Sequence, residues 1–197
     1  MSRLDLDIIQ QWVPENARIL DLGCGDGTLL KRLYEQKGAN GYGLEIDRQR
    51  IVQCLERGVN VIEQDLNEGL NNFPDDSFDV VIMTQTLQAM HRPDQVLEAM
   101  LRIGRNCIVT FPNFGNWRAR LHLALKGRMP VTKQLAYQWY DTPNIHFCTV
   151  KDFDALCRAK QIKTLDRAMV AEHKPDAWFK NLDANLFSET AIYHLSR

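Results

Sequence analysis

Nowhere in this 197-residue chain is there a run of about 20 apolar residues, so the sequence offers no transmembrane helix. The first sixteen residues, Met1 to Asn16, carry acidic or polar side chains every few positions and lack the apolar core of a secretory signal. A cytoplasmic location is the expectation. Neither sign of charge dominates, because 24 Lys and Arg face 25 Asp and Glu. No net field draws nucleic acid or an anionic membrane, and neither is expected as a partner. The five cysteines, Cys24, Cys54, Cys107, Cys148 and Cys157, are odd in number and form no CxxC pair, which favours free thiols. His91, His122, His146, His173 and His194 show neither HxH nor HxxxH spacing, and His146 beside Cys148 is only a pair, so no metal site is expected. Repeats and low-complexity segments are missing as well. What remains is ordinary globular composition, 45% hydrophobic and 25% charged, in a chain sized for one domain over residues 1–197.

Periodicity then gives the element order. Leu4, Ile8, Ile9 and Trp12 recur at helical spacing over residues 3–13, ahead of a stop at Pro14 and Asn16, and this helix is expected to cover the sheet or a ligand. Strand candidates follow at 18–22, 41–46, 59–63, 78–83 and 106–111, with helices at 28–36, 48–57 and 93–101 between them. Strands alternating with helices need crossover connections, which implies an α/β fold: a doubly wound, mostly parallel sheet with helices on both faces. The rhythm breaks over about 112–147, expected as an inserted helix followed by a long loop across the sheet. Thr149 then caps a helix to Lys160, and runs at 163–172 and 189–195 have β character, expected to close a seven-stranded sheet as an antiparallel pair.

The sharpest constellation is Ile19-Leu-Asp-Leu-Gly-Cys-Gly-Asp-Gly-Thr28, at the junction of the first strand and its helix. Glycines at 23, 25 and 27 let the backbone turn tightly at the carboxyl end of a strand, where open α/β sheets bind ligands. A dinucleotide fingerprint reads GxGxxG and seats a pyrophosphate on the helix N-terminus. Here the third glycine falls one residue early, and Asp21 and Asp26 stand where they would repel a diphosphate. S-adenosylmethionine removes that conflict, because it has no phosphate and carries an ammonium and a sulfonium beside one carboxylate. Glu45 at the end of the second strand can accept both ribose hydroxyls, and Asp65 at the end of the third can take the adenine amino group. Asp47 reads as a helix cap and Asp26 as an exposed loop charge.

In order along the chain, the DLGCGDG loop, the acid after the second strand and Asp65-Leu66 after the third resemble the motifs of class I S-adenosylmethionine-dependent methyltransferases. That resemblance implies the Rossmann-like fold of those enzymes, with cofactor contacts at Asp21, Gly23, Cys24, Gly25, Gly27, Glu45, Ile46, Asp65, Leu66 and Gln85. Further stretches, Thr84 to Ala89, Phe111-Pro-Asn-Phe-Gly-Asn-Trp117, Gly127 to Val131 and Trp139 to His146, are similar to the MetW family of methionine-biosynthesis proteins. Over about residues 3–160 the likeness implies a role in methionine synthesis, assisting a homoserine O-acyltransferase as partner. It does not by itself imply methyl transfer.

Methyl transfer from a sulfonium needs orientation, desolvation and, for a weakly acidic nucleophile, a base. The acceptor pocket is expected from residues after the fourth and fifth strands: Gln85, Gln88, His91, Asn113 and Trp117, joined by Tyr140, Asp141, Asn144 and His146. Among these, His146 and Tyr140 are the candidate catalytic residues, although hydrogen-bonded structural roles are the commoner use of such side chains. Three readings therefore stand: a cofactor-binding accessory protein, an active methyltransferase on a small molecule or protein, and a nicotinamide-dependent oxidoreductase, which the glycine spacing disfavours.

Overall fold

A computed structural model describes residues 3–132, 136–171 and 183–197 of the chain. The candidate strand end at Glu172 and His173 of the histidine set lie outside the described residues. Seven strands form one sheet in the order β3-β2-β1-β4-β5-β7-β6. The first five are parallel: β1 (Arg18–Leu22), β2 (Asn40–Glu45), β3 (Val61–Glu63), β4 (Phe78–Thr84) and β5 (Gly104–Pro112). β7 (Thr190–Ser196) inserts antiparallel between β5 and β6 (Lys163–Val170), which closes the sheet with the expected antiparallel pair. β3 is shorter than its apolar run suggested, because Val59 and Asn60 are spent turning out of a helix, with the Val59 N–H bonded to the Cys54 carbonyl.

Both sheet faces are buried, and strand alternation assigns their residues. On β4, Val81 and Met83 enter one core together with Cys107, Val109 and Phe111 of β5, packed under helices α4 (Pro93–Ile103) and α6 (Val150–Ala159). Val80, Ile82 and Ile108 point the other way, into a core with α1 (Arg3–Trp12) and α2 (Thr28–Lys37), which Cys54 of α3 (Arg48–Glu56) also joins. The N-terminal helix covers the sheet: Ile9 and Val13 are buried, and Trp12 stacks on His194 of β7 at 5.6 Å. Two sequence-level caps hold. Asp47 accepts from the backbone of Gln49 and Arg50, and Thr149 forms a reciprocal capping box with Asp152.

α5 (Trp117–Lys126) opens the segment that interrupts the strand–helix rhythm, and from Gly127 to Phe147 the described backbone is irregular. The Pro112–Trp117 motif in front of it proves to hold the fold together. Asn113 is buried; its Nδ2 donates to the Asn185 and Ser188 carbonyls and the Ser188 hydroxyl at 2.9 to 3.0 Å. Its Oδ1 accepts from Gly115 and Val150, so this one amide ties the end of β5 to the start of α6 and to the short helix α7 (Ala184–Phe187). Asn116 caps α5 by accepting from Arg118, and donates to the Ser188 carbonyl. Placing Asn113 in an acceptor pocket is therefore a correction to the sequence reading: its polar atoms are consumed internally. Asn113→Ala leaves several buried groups unpaired at once, and we expect it to lower unfolding free energy by about 3 kcal/mol in a urea titration.

Candidate functional site

Because the strand order reverses between β1 and β4, the carboxyl ends of β3, β2, β1 and β4 open onto one crevice. A cleft of about 780 Å³ occupies it. Its lining takes Gly23, Cys24 and Gly25 from the loop after β1, Glu45 and Ile46 from the end of β2, Asp65 and Leu66 after β3, and Gln85 after β4. Eight of the ten residues expected to contact a cofactor thus meet in one place. The other two stand behind it: Asp21 is buried in β1, and Gly27 ends the loop as the N-cap of α2.

The loop is shaped by close approaches. At Gly23, φ is +71° and an added Cβ would lie 2.6 Å from the Thr86 hydroxyl, so the loop rests directly on the turn after β4. At Gly25, φ is +59° and an added Cβ would meet nothing within 4 Å, so this backbone faces open space. The Gly25 N–H is bonded to Glu45 Oε2 at 2.9 Å, and Glu45 Oε1 accepts from Ile46 and Asp47. Three backbone donors therefore fix a carboxylate that is only 5% exposed. Asp65 accepts at Oδ1 from both the backbone and side chain of Asn67, which starts the 3-10 turn Leu66–Glu68.

Asp21 is the unusual group. It is 1% exposed, and neither carboxylate oxygen has a hydrogen-bond partner. Burial, and after it the charge of Glu45, push its pKa from 3.8 up to about 7. Burial and then Asp21 also hold the Cys24 thiol well above its usual range. Cys24 contacts Cys54 at 3.8 Å between sulfurs, both thiols being free. The raised thiols stay neutral, so the negative potential at the glycine loop comes from Glu45 and from Asp21 once ionised, which fits a cation and opposes a diphosphate. The residues present thus fit S-adenosylmethionine: an orphaned acid in β1, an open glycine in the loop after it, and fixed carboxylates along the β2 and β3 ends.

Of the rest of the cleft, sequence reasoning names Gln85, Gln88 and Asn144 and misses Tyr137 and Pro143. Gln85 adopts a left-handed conformation, φ +54°, held by bonds from its N–H to the carbonyl and hydroxyl of Thr110. Gln88 is buried beside it, and Tyr137, Pro143 and Asn144 of the irregular segment form the outer wall. For Tyr137 and Pro143 only the aromatic content of that segment signals nearness to the cleft. Several expected acceptor-pocket residues lie elsewhere. His91 borders a separate hollow with Leu66 and Arg92; Trp117 is 42% exposed, with Arg118 over its ring. Tyr140 is exposed and packs edge-on against Trp139, while His146 is exposed with Nε2 3.4 Å from the His91 carbonyl. Neither of these two, nor Asp141, lines the cleft.

Comparison with known proteins places this geometry in context. The family model described as "Methionine biosynthesis protein MetW" matches residues 3–195. A "Bifunctional methionine biosynthesis protein MetXA/MetW" from Rhodopirellula baltica is 37% identical over 203 residues, covering 98% of this chain and 33% of that protein. The chain therefore spans about a third of the length of that relative. Among solved structures, an S-adenosylmethionine-dependent methyltransferase from Mesorhizobium loti superposes with a TM-score of 0.71 at 15% identity, covering 98% of this chain and 96% of its own. The [4+2]-cyclase SpnF superposes with a TM-score of 0.68 at 18% identity, covering 98% and 80%. At such identities the likeness is one of fold, and the fold is that of class I S-adenosylmethionine-dependent methyltransferases.

The raised pKa of Asp21 makes a testable prediction for stability. Since the folded state binds this proton more tightly than the unfolded one, Asp21 lowers stability progressively as pH rises from about 4 to about 7, and by a constant amount above that. Asp21→Asn should remove the penalty and gain on the order of 3 kcal/mol at pH 8 but little at pH 4, read from urea titrations at the two values.

Proposed function

This chain belongs to the MetW family of methionine biosynthesis proteins, and on that premise we propose that it binds S-adenosylmethionine in the glycine-loop cleft and assists a homoserine O-acyltransferase. The observation that carries the cofactor assignment is the Asp21 carboxylate, buried without a partner in β1 just ahead of the glycine loop that lines the cleft. A ligand bearing an ammonium or sulfonium supplies the missing countercharge. When bound, S-adenosylmethionine would bring a methyl sulfonium with adenosine and an amino-acid end. The chain's own part is to accept the ribose and adenine through Glu45 and Asp65, and to keep water from Asp21.

Support for the partner comes from two directions. In the Rhodopirellula baltica relative a MetXA part and a MetW part share one chain, and we read the MetXA part as the acyltransferase. Physical linkage of two proteins in one relative is what a functional pairing produces. On this chain, Trp139 and Tyr140 are more than 70% exposed, and Ile145 and Phe147 about half exposed, on one short segment. So much apolar surface on a segment that also walls the cleft suits a protein contact.

Methyl transfer is the second reading, and the positions of His146 and Tyr140 outside the cleft lining disfavour it. The test is an acyltransferase assay run with and without this protein while S-adenosylmethionine is titrated. Addition should raise the turnover or melting temperature of the acyltransferase, and the cofactor should change the size of that effect. An acyltransferase indifferent to the protein at every cofactor concentration would sink the accessory role, and a methylated product would establish the second reading.

A further inference from the structure

Gln88 sits where the cleft meets the irregular segment, and each of its polar groups faces a different structure. Its Nε2 donates to the Gln85 carbonyl at 2.8 Å, which fixes the amide orientation, since a flipped amide would set two oxygens together. That leaves Oε1 as an acceptor, and it is buried with no partner in a side chain that is 5% exposed and lines the cleft. The Gln88 main-chain carbonyl accepts the N–H groups of both Ile145 and His146 at 3.0 Å. Asn144, the next residue back, lines the same cleft as Gln88.

Strand order says which part of a ligand comes near. Across the sheet edge the order is β3, β2, β1, β4, and the carboxylates suited to adenine and ribose stand on β3 and β2. A ligand lying across these ends with its adenosine at Asp65 and Glu45 presents its amino-acid end to β1 and β4. There the orphaned acceptors are Asp21 and Gln88 Oε1, and both call for a donor.

Building on the cofactor assignment above, we infer that Gln88 is a ligand-binding residue that accepts from the α-ammonium end of the ligand and ties that contact to the Asn144–Phe147 segment. An acceptor left unsatisfied in a buried site is costly, and a charge-assisted donor removes the cost. Because Oε1 is enclosed, a donor reaches it only if neighbouring groups shift, and the segment bonded to the Gln88 carbonyl, which also lines the cleft through Asn144, is the one tied to that residue. Occupancy at the amino-acid end and the placement of Ile145 and His146 are then one linked equilibrium, and the linkage is reciprocal: whatever engages the outer aromatic side chains alters affinity for the ligand.

Two probes separate the ends of the ligand. S-adenosylhomocysteine keeps the α-ammonium, whereas 5′-methylthioadenosine keeps the adenosine and thioether and lacks the amino-acid end. By calorimetry, Gln88→Met should weaken S-adenosylhomocysteine about tenfold or more and leave 5′-methylthioadenosine unchanged, a split that a general loss of structure would not produce. On the unaltered protein, S-adenosylhomocysteine should slow amide hydrogen exchange at Ile145 and His146, and 5′-methylthioadenosine should not. Equal weakening of both ligands by the substitution, or S-adenosylhomocysteine binding with no change at those two amides, overturns the inference while leaving the cofactor assignment standing. Failure of S-adenosylhomocysteine to bind the unaltered protein overturns the cofactor assignment, and this inference with it.

Discussion

A carboxylate held in the interior of β1 without a hydrogen bond is the constraint around which the upper edge of this sheet is arranged. Asp21 occupies a position that an apolar side chain would fill with better stability, and burial, followed by the charge of Glu45, lifts its pKa toward neutrality. The fold tolerates it because the neighbouring groups are themselves fixed. Glu45 is pinned by three backbone N–H groups, one of them from the glycine loop, and Gly23 lies against Thr86 too closely for any side chain. The loop, the end of β2 and the turn after β4 are thereby locked to one another, beside a buried acid whose oxygens have no hydrogen-bond partner within the chain. Local instability of this kind is typical of binding sites, where stability is given up for affinity.

The second half of the chain serves two purposes that its aromatic richness conflates. Pro112 to Trp117 is a fastening: Asn113 and Asn116 bind the end of β5 to the starts of α5 and α6 and to the α7 region through buried side-chain amides. Phe111, Phe153 and Tyr193 pack together on the same side of the sheet, with the Tyr193 hydroxyl donating to Asp154. The stretch from Tyr137 to Phe147 behaves differently. It hangs from the Gln88 carbonyl, offers Tyr137, Pro143 and Asn144 to the cleft, and turns Trp139 and Tyr140 to solvent. A surface that borders a ligand site on one side and exposes aromatics on the other is suited to conveying occupancy to a partner.

Most of the fold was legible from the sequence because strands buried on both faces write themselves as short apolar runs, and the helices between them carry caps such as Asp47 and Thr149. Strand ends were less legible: β5 begins at Gly104, two residues before its apolar run, because backbone pairing with Phe78 decides the boundary. The cleft residues on the glycine loop and strand ends could be read since their spacing follows the chain. Gln88 was legible as a residue following the fourth strand, whereas Tyr137 and Pro143 were not, because they reach the cleft through tertiary contacts with segments about 50 residues away, for which local pattern has no signal. Asn113 was misjudged for a related reason: an Asn beside Pro and Gly looks equally suited to a pocket or a buried knot, and only its partners distinguish the two.

The account stands on Asp21 being neutralised by a cationic ligand, and calorimetric titration of S-adenosylmethionine across pH tests that most directly. If binding requires the ionised acid, affinity should rise about tenfold per pH unit from pH 5.5 toward about 7, level off above it, and be accompanied by proton release below it. An affinity that stays constant over the same range, or NAD binding as tightly as S-adenosylmethionine, would contradict it.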